Sequence, residues 1–235
     1  FLETLNHTDP AGIRDAIYSI SERDVARLLA RQQFSVQDFP ALVAPAAAGF
    51  LEHMAAVARR TTLLRFGKTV KMYAPLYVSN ECVNACAYCG FNRTNKIDRL
   101  TLTVDQVLQE ADTLHAQGFR HILLVSGEDK NKVPLDYLEE IARQLSKKFA
   151  GISIEIYPMD TQEYGKLARA GVTGIAIYQE TYDREVYRTL HNGPKADFDY
   201  RLLTLERAGE AGLRELGIGA LLGLKDFRID MTAVA

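Results

Sequence analysis

The sequence predicts an α/β fold in which parallel strands alternate with crossover helices. From residue 70 onward, short apolar runs alternate five times with amphipathic segments, and this alternation is typical of parallel sheets. The five predicted strands cover residues 70–78, 121–125, 152–157, 174–179 and 216–224. The intervening helices are predicted at residues 103–117, 135–149, 161–170 and 197–211, where capping residues or glycines mark several ends. A doubly wound sheet and a (βα)8 barrel both satisfy this order.

Polar side chains follow the predicted strands at their carboxyl ends. Ser79 follows the first strand, Glu128 the second and Glu180 the fourth. In barrels the chemistry gathers at this end of the strands. The sequence therefore favours a TIM-type (βα)8 barrel, truncated here to about five βα units.

The first 69 residues differ in character, because apolar residues recur there at helical spacing over residues 11–20, 21–32 and 39–60. We predict an N-terminal helical extension at residues 1–69, followed by a partial barrel domain at residues 70–235. The chain opens on Phe1 and stops as another element begins, so we expect a fragment. An open barrel edge invites aggregation, and we expect the isolated fragment to be poorly soluble or inactive.

Composition excludes some partners. The chain has 235 residues, 47% of them hydrophobic, and a formal net charge of −2. This charge predicts no binding to nucleic acid or to an anionic membrane surface. We find no apolar run of the roughly 20 residues that span a bilayer and no signal-peptide pattern, so we expect a cytoplasmic, reducing location.

Cys82, Cys86 and Cys89 are the only cysteines and form a CxxxCxxC run directly after the first predicted strand. Four cysteines normally complete a cubane iron–sulfur cluster, so three leave one iron open to another ligand. Zinc is an alternative, with His115 or His121 as fourth ligand, although zinc sites usually present a second short cysteine pair. A disulfide with one free thiol is the other alternative, and it suits small secreted scaffolds better than this long chain.

The cysteine run resembles the signature of the radical S-adenosylmethionine (SAM) enzymes, in which an aromatic residue, here Tyr88, precedes the last cysteine. Residues 75–96, the run Tyr-Gln-Glu-Thr-Tyr at 178–182 and residues 193–198 are similar to the tyrosine lyase branch. The greatest similarity is to the lyases that serve thiamine biosynthesis. That resemblance implies cleavage of the Cα–Cβ bond of L-tyrosine to 2-iminoacetate (dehydroglycine) and p-cresol, with 5′-deoxyadenosine and methionine as the products of SAM.

Two other functions stay open. A sibling branch, the hydrogenase-maturation tyrosine lyases, makes carbon monoxide and cyanide at a second cluster near its C-terminus. A non-catalytic metal-binding barrel is the alternative from a different class. The resemblance further implies an electron donor such as flavodoxin or ferredoxin, and a thiazole synthase as partner.

The resemblance also implies roles for individual residues. The three cysteines would bind three irons of a [4Fe–4S] cluster, and SAM would chelate the fourth. The implied SAM-binding residues are Tyr88, Gly127, Glu128, Glu180 and Arg201. No protein side chain is assigned as catalytic, because the reactive species, a 5′-deoxyadenosyl radical, comes from SAM.

Contacts to the tyrosine substrate are predicted less sharply. Four polar or aromatic residues near the ends of predicted strands are candidates to face the barrel mouth: Tyr73, Ser79, Tyr157 and Gln179.

Overall fold

The computed structural model describes residues 1–6, 9–31 and 33–235. Its described residues contain one five-stranded sheet: β1 (Ala74–Ser79), β2 (His121–Ser126), β3 (Gly151–Glu155), β4 (Gly174–Ala176) and β5 (Glu215–Gly217). The spatial order is β1-β2-β3-β4-β5 and every neighbouring pair is parallel. A doubly wound sheet reverses its strand order at a switch point, whereas a barrel adds each strand beside the previous one. The predicted truncated barrel is therefore confirmed.

In the described part of the chain, five helices precede the sheet. They are α1 (Leu2–Asn6), α2 (Pro10–Ser19), α3 (Glu22–Leu29), α4 (Phe39–Val43) and α5 (Leu51–Phe66). The single helix predicted over residues 39–60 is wrong, because α4 and α5 are separated by a 3-10 segment at Pro45–Phe50. Ala44 is extended, with ψ of 150°, since a residue before proline is disfavoured in the helical region.

Seven helices accompany or follow the strands. They are α6 (Val104–Ala116), α7 (Leu135–Leu145), α8 (Thr161–Ala170), α9 (Arg184–Leu190), α10 (Phe198–Leu202), α11 (Thr204–Glu210) and α12 (Phe227–Val234). The single helix predicted at 197–211 is interrupted at Leu203. There the Tyr200 carbonyl accepts hydrogen bonds from the side chains of Thr204 and Arg207, at 3.2 and 2.7 Å, which compete with the helical ladder. The sequence also missed α9, and the observed β5 is shorter than the predicted 216–224.

The main core lies between the sheet and the helices outside it. Leu124 of β2 and Ile154 of β3 are fully buried there, together with Ile141 of α7 and Leu167 of α8. Because side chains alternate along a strand, the intervening residues face the concave interior. The carboxyl ends of the strands open towards the loops that carry the predicted site.

The N-terminal helices pack against the C-terminal segment of the chain. The Tyr18 hydroxyl donates a hydrogen bond of 2.9 Å to Asp226, and Arg228 Nε donates one of 2.9 Å to the Val43 carbonyl. Helix α12 thus packs against α2 and α4. The domain boundary between residues 69 and 70 stays a prediction.

No single helix in the described ranges has the length and apolar content to cross a bilayer. One bent pair, Val36–Val43 with Pro45–Phe66, meets the requirement by length and composition alone.

Candidate active site

A pocket of about 320 Å³ lies at the carboxyl ends of the strands, beside the loop of residues 80–92 that follows β1 (the cysteine loop). Its lining includes all eight residues predicted to bind the cluster or SAM: Cys82, Cys86, Tyr88, Cys89, Gly127, Glu128, Glu180 and Arg201. They come from the cysteine loop, the ends of β2 and β4, and helix α10. The structure therefore brings the predicted residues together, and their roles as ligands stay predictions.

The three thiols are free. Cys86 is buried, and this burial raises the pKa of its thiol to about 11, with the nearby Lys195 ammonium acting in the opposite direction. Within the described part of the chain, no group of three or more His, Cys, Asp or Glu side chains is arranged to hold a single metal ion. A cubane cluster makes a different demand, because each thiolate binds a different iron. Three thiols on one loop at a pocket with room for a small ligand fit that group.

The two histidines considered as a zinc ligand lie elsewhere. His115 stacks edge-on against Phe149 at a centroid distance of 5.6 Å. His121 begins β2 and lies against Gly151, at the opposite end of the sheet from the cysteine loop. Neither histidine can complete a site with these cysteines.

The cysteine loop is held by the segment after α9, residues 190–195. Ala85 N donates to the Asn192 carbonyl at 2.8 Å, and Ala87 N donates to the Leu190 carbonyl at 2.9 Å. At Gly193, with φ of +105°, a Cβ would lie 2.7 Å from Asn84 Oδ1. Only glycine allows both this left-handed backbone and this close approach, so residues 190–195 shape the loop that carries the thiols.

The structure explains why glycine is needed at position 127, directly after β2. A Cβ there would lie 2.2 Å from the Glu81 carbonyl oxygen and 3.1 Å from Cys82 Cβ. The family resemblance implies that this glycine lets the backbone approach SAM. In the structure, the absent side chain lets the cysteine loop approach β2.

Glu128 and Arg201 form a buried ion pair, with Arg201 Nη1 2.7 Å from Glu128 Oε1. Asn84 Nδ2 donates to the other Glu128 oxygen at 2.9 Å, and Arg201 Nε donates to the Tyr178 carbonyl at 2.8 Å. Burial alone would lower the pKa of Arg201, but Glu128, Tyr187 and Glu180 together outweigh it, and the pKa lies above its ordinary value. The guanidinium is therefore a fixed cation inside the pocket, and not a helix-surface arginine.

Glu180 is paired with Lys195, whose Nζ lies 2.7 Å from Glu180 Oε1, and Arg201 lies 4.0 Å from the same oxygen. Its φ of 73° makes it the one non-glycine in the described residues with a left-handed backbone. That conformation costs about 1–3 kcal/mol and is typical of functional sites. It turns the carboxylate into the pocket.

Tyr88 contacts a buried histidine. Its hydroxyl lies 2.6 Å from His191 Nε2, while His191 Nδ1 lies 2.8 Å from the Tyr187 carbonyl. A carbonyl only accepts, so Nδ1 carries the proton and Nε2 accepts from the tyrosine. Burial lowers the pKa of His191 and raises that of Tyr88. A neutral imidazole thus fixes the ring before the last cysteine.

None of the four residues expected to face the barrel mouth lines this pocket, so that expectation of their orientation is wrong. Ser79 is buried against Thr101, because the register shift between Tyr77 and Ser79 turns its side chain away. Tyr157 lies beyond the end of β3 and donates to the Val133 carbonyl at 2.6 Å. The remaining two also lie elsewhere: Gln179 donates to the Phe198 carbonyl on the other face of the sheet, and Tyr73 lines a cavity at the opposite end of the strands.

The sequence assigned no role to three other residues at the site: Asn84 and Lys195, which line the pocket, and His191, which contacts Tyr88. The contact that defines the role of each is with a residue far away in the chain, so local pattern does not reveal it. Glu155, at the end of β3, could have been found by extending to the third strand the rule that located Glu128 and Glu180.

Comparison with known proteins agrees with this geometry. The family model described as the Radical SAM superfamily matches residues 76–233, from β1 into α12. The chain belongs to the Radical SAM superfamily. The predicted resemblance is thereby confirmed, and the superfamily implies a [4Fe–4S] cluster and SAM. In this Radical SAM site, Cys82, Cys86 and Cys89 are the residues that would hold the cluster.

Individual relatives are more specific. The chain is 41% identical over 237 residues to 2-iminoacetate synthase of Escherichia coli (strain K12), covering 100% of this chain and 63% of that protein. It is 42% identical to the Salmonella typhimurium enzyme of the same name over 225 residues, covering 95% and 60%. The solved FeFe-hydrogenase maturase HydG from Carboxydothermus hydrogenoformans superimposes with a TM-score of 0.84 at 32% identity, covering 99% and 54%. The chain thus spans less than two thirds of the length of these relatives.

Proposed function

We propose that this chain is part of a 2-iminoacetate synthase, a radical SAM lyase that cleaves the Cα–Cβ bond of L-tyrosine into 2-iminoacetate and p-cresol for thiazole formation in thiamine biosynthesis. The observation that carries the proposal is the 41% identity along the whole chain to an enzyme of that name. The pocket supports it, because the three cysteines and the five predicted SAM-binding residues line one cavity.

When bound, the cluster and SAM supply one-electron cleavage of SAM and with it a radical that can remove a hydrogen atom. The protein's own residues bind and orient. Arg201 offers a planar guanidinium that suits the carboxylate of SAM, and Glu128 and Glu180 offer acceptors for its ammonium and ribose hydroxyl groups. These three side chains are already fixed by the pairs with Asn84 and Lys195, so little side-chain ordering is needed on binding.

The hydrogenase-maturation lyase is a weaker candidate. Its support is the structural similarity to HydG, at 32% identity, which is below the 41% identity to the thiamine-pathway enzyme. That function would require a second cluster and would release carbon monoxide and cyanide, so these two gases discriminate between the candidates.

Partners and location belong to the same proposal. The cluster would take electrons from a flavodoxin or a ferredoxin, and a thiazole synthase would consume the unstable imine. Three free cysteines at the proposed cluster site require a reducing compartment, and we place the enzyme in the cytoplasm.

The test is an anaerobic incubation of the full-length, reconstituted protein with SAM, L-tyrosine and dithionite. We expect p-cresol and 5′-deoxyadenosine, and glyoxylate from hydrolysis of the imine. The variant Cys86→Ala should give none of them, whereas Ser153→Ala on β3 should behave like the unmodified enzyme. Formation of 5′-deoxyadenosine without p-cresol in the presence of tyrosine would refute the lyase proposal.

A further inference from the structure

Glu155 is a carboxylate that the proposed roles leave unused. It is the last residue of β3, next to Val125 of β2 in the sheet, and it lines the pocket. Of the residues that the structure describes, none donates a hydrogen bond to its side chain or forms an ion pair with it. Burial, followed by the charge of Glu180, raises the pKa of this carboxyl group above its ordinary value. The side chain is half-buried, so its carboxylate has lost part of its contact with water, and a ligand that donates hydrogen bonds to it would compensate that loss.

The charged residues that line the pocket indicate which kind of ligand group would pair with Glu155. Its lining contains three carboxylates, Glu128, Glu155 and Glu180, against two cations, Lys195 and Arg201. Arg201 pairs with Glu128, and Lys195 pairs with Glu180. Glu155 is the surplus negative charge. A group that carries positive charge or donates hydrogen bonds would satisfy it.

The position of Glu155 narrows the choice among such groups. Glu155 lines the same pocket as Glu180, Arg201 and Lys195, and the charges of all three act on its pKa, so its carboxyl group lies near residues to which SAM binding is assigned. The resemblance to the tyrosine lyases implies that the radical derived from SAM removes a hydrogen atom from the amino group of L-tyrosine, so under the proposed function that amino group lies beside SAM. Apolar and aromatic side chains in the same lining can contact a phenol ring: Tyr77, Phe91, Val125, Ile156 and Tyr178.

We infer that Glu155 is a substrate-binding residue that accepts hydrogen bonds from the amino group of the amino-acid substrate. This inference rests on the proposed function and adds a residue to it. A hydrogen bond between charged groups in a partly desolvated pocket has an effect of at least about tenfold on affinity. The same residue discriminates against ligands that lack the amino group.

The experiment compares two ligands of the full-length, cluster-loaded enzyme with SAM present: L-tyrosine and 3-(4-hydroxyphenyl)propanoate, which lacks only the amino group. Dissociation constants are measured anaerobically for the unmodified enzyme and for Glu155→Gln, Glu155→Asp and Ser153→Ala. Ser153 lies two residues earlier on the same face of β3 and is the matched control. Iron content and tyrosine-independent 5′-deoxyadenosine formation report whether each variant retains its cluster and SAM sites.

We expect Glu155→Gln to weaken tyrosine binding at least about tenfold and to leave binding of the propanoate within about twofold. Glu155→Asp should keep part of the preference for tyrosine, and Ser153→Ala should keep all of it. Equal weakening of both ligands by Glu155→Gln, or no change in either, would overturn the inference. Failure of the unmodified enzyme to form p-cresol would overturn the proposed function itself, whereas p-cresol formation with unchanged discrimination in Glu155→Gln overturns only the role of Glu155.

Discussion

Removal of the buried guanidinium of Arg201 should be far more costly than removal of a surface arginine. In Arg201→Met the stem still fills the space, but Glu128 loses the cation at 2.7 Å and Glu180 loses the one at 4.0 Å. The Glu128 side chain is only 13% exposed, so water does not replace the lost partner. Breaking one partner of such a pair costs about 3–5 kcal/mol of unfolding free energy.

Urea denaturation of the full-length, cluster-free protein measures this cost. Two further variants serve as a surface-pair control and as a rescue. Arg184→Met breaks the pair with Asp199, also at 2.7 Å but with side chains 42% and 52% exposed, and should cost no more than about 1 kcal/mol. Adding Glu128→Gln to Arg201→Met should recover part of the loss, because it removes the uncompensated charge. A cost for Arg201→Met no larger than that for Arg184→Met would refute the reasoning.

Three other outcomes follow from the geometry. Gly127→Ala should destabilise the cysteine loop by about 1–3 kcal/mol and speed iron loss to a chelator, since the new Cβ would meet the Glu81 carbonyl at 2.2 Å; Gly90→Ala, with open space around its Cβ, is the control and should have no effect. In the cluster-free protein at pH 8, Cys86 should be the slowest of the three thiols to react with iodoacetamide, because it is buried and its pKa is raised to about 11; mass spectrometry showing it as the fastest would contradict this. Burial raises the pKa of Asp230 in the folded protein above its value in the unfolded chain. The contribution of Asp230 to the unfolding free energy is therefore complete below the unfolded pKa and is lost as pH rises through the folded pKa. Asp230→Asn should make the unfolding free energy fall less steeply over this pH range, and an unchanged pH dependence would contradict the assignment.

The sequence predicts the fold well where local pattern decides it. Alternation of strands and helices located all five strands, and Asp160 with Gly171 fixed both ends of α8 at the predicted residues. Breaks inside long amphipathic runs were missed at Pro45 and Leu203. The first has a local signal in proline, whereas the second depends on the side chain of Arg207, one turn further along.

Part of the site was also predictable, because some of its residues lie in local sequence motifs. The cysteines, Glu128 and Glu180 stand in local motifs at strand ends, and the structure places them around one pocket. The facing of Ser79 was not predictable, since a shift in register reverses the alternation that the sequence suggests. Lys195 and His191 depend on pairs with Glu180 and Tyr88, which only the folded chain brings together.

The most direct test of the central claim is a single-turnover experiment with L-tyrosine labelled with ¹³C at Cα and ¹⁵N at the amino group. Full-length reconstituted enzyme, SAM and dithionite are combined anaerobically, and p-cresol, 5′-deoxyadenosine and the labelled fragment are quantified together. A tyrosine lyase of the proposed kind gives equal amounts of p-cresol and 5′-deoxyadenosine, with both labels in 2-iminoacetate or in its hydrolysis products glyoxylate and ammonium. Unlabelled glyoxylate, or 5′-deoxyadenosine without p-cresol, would contradict it.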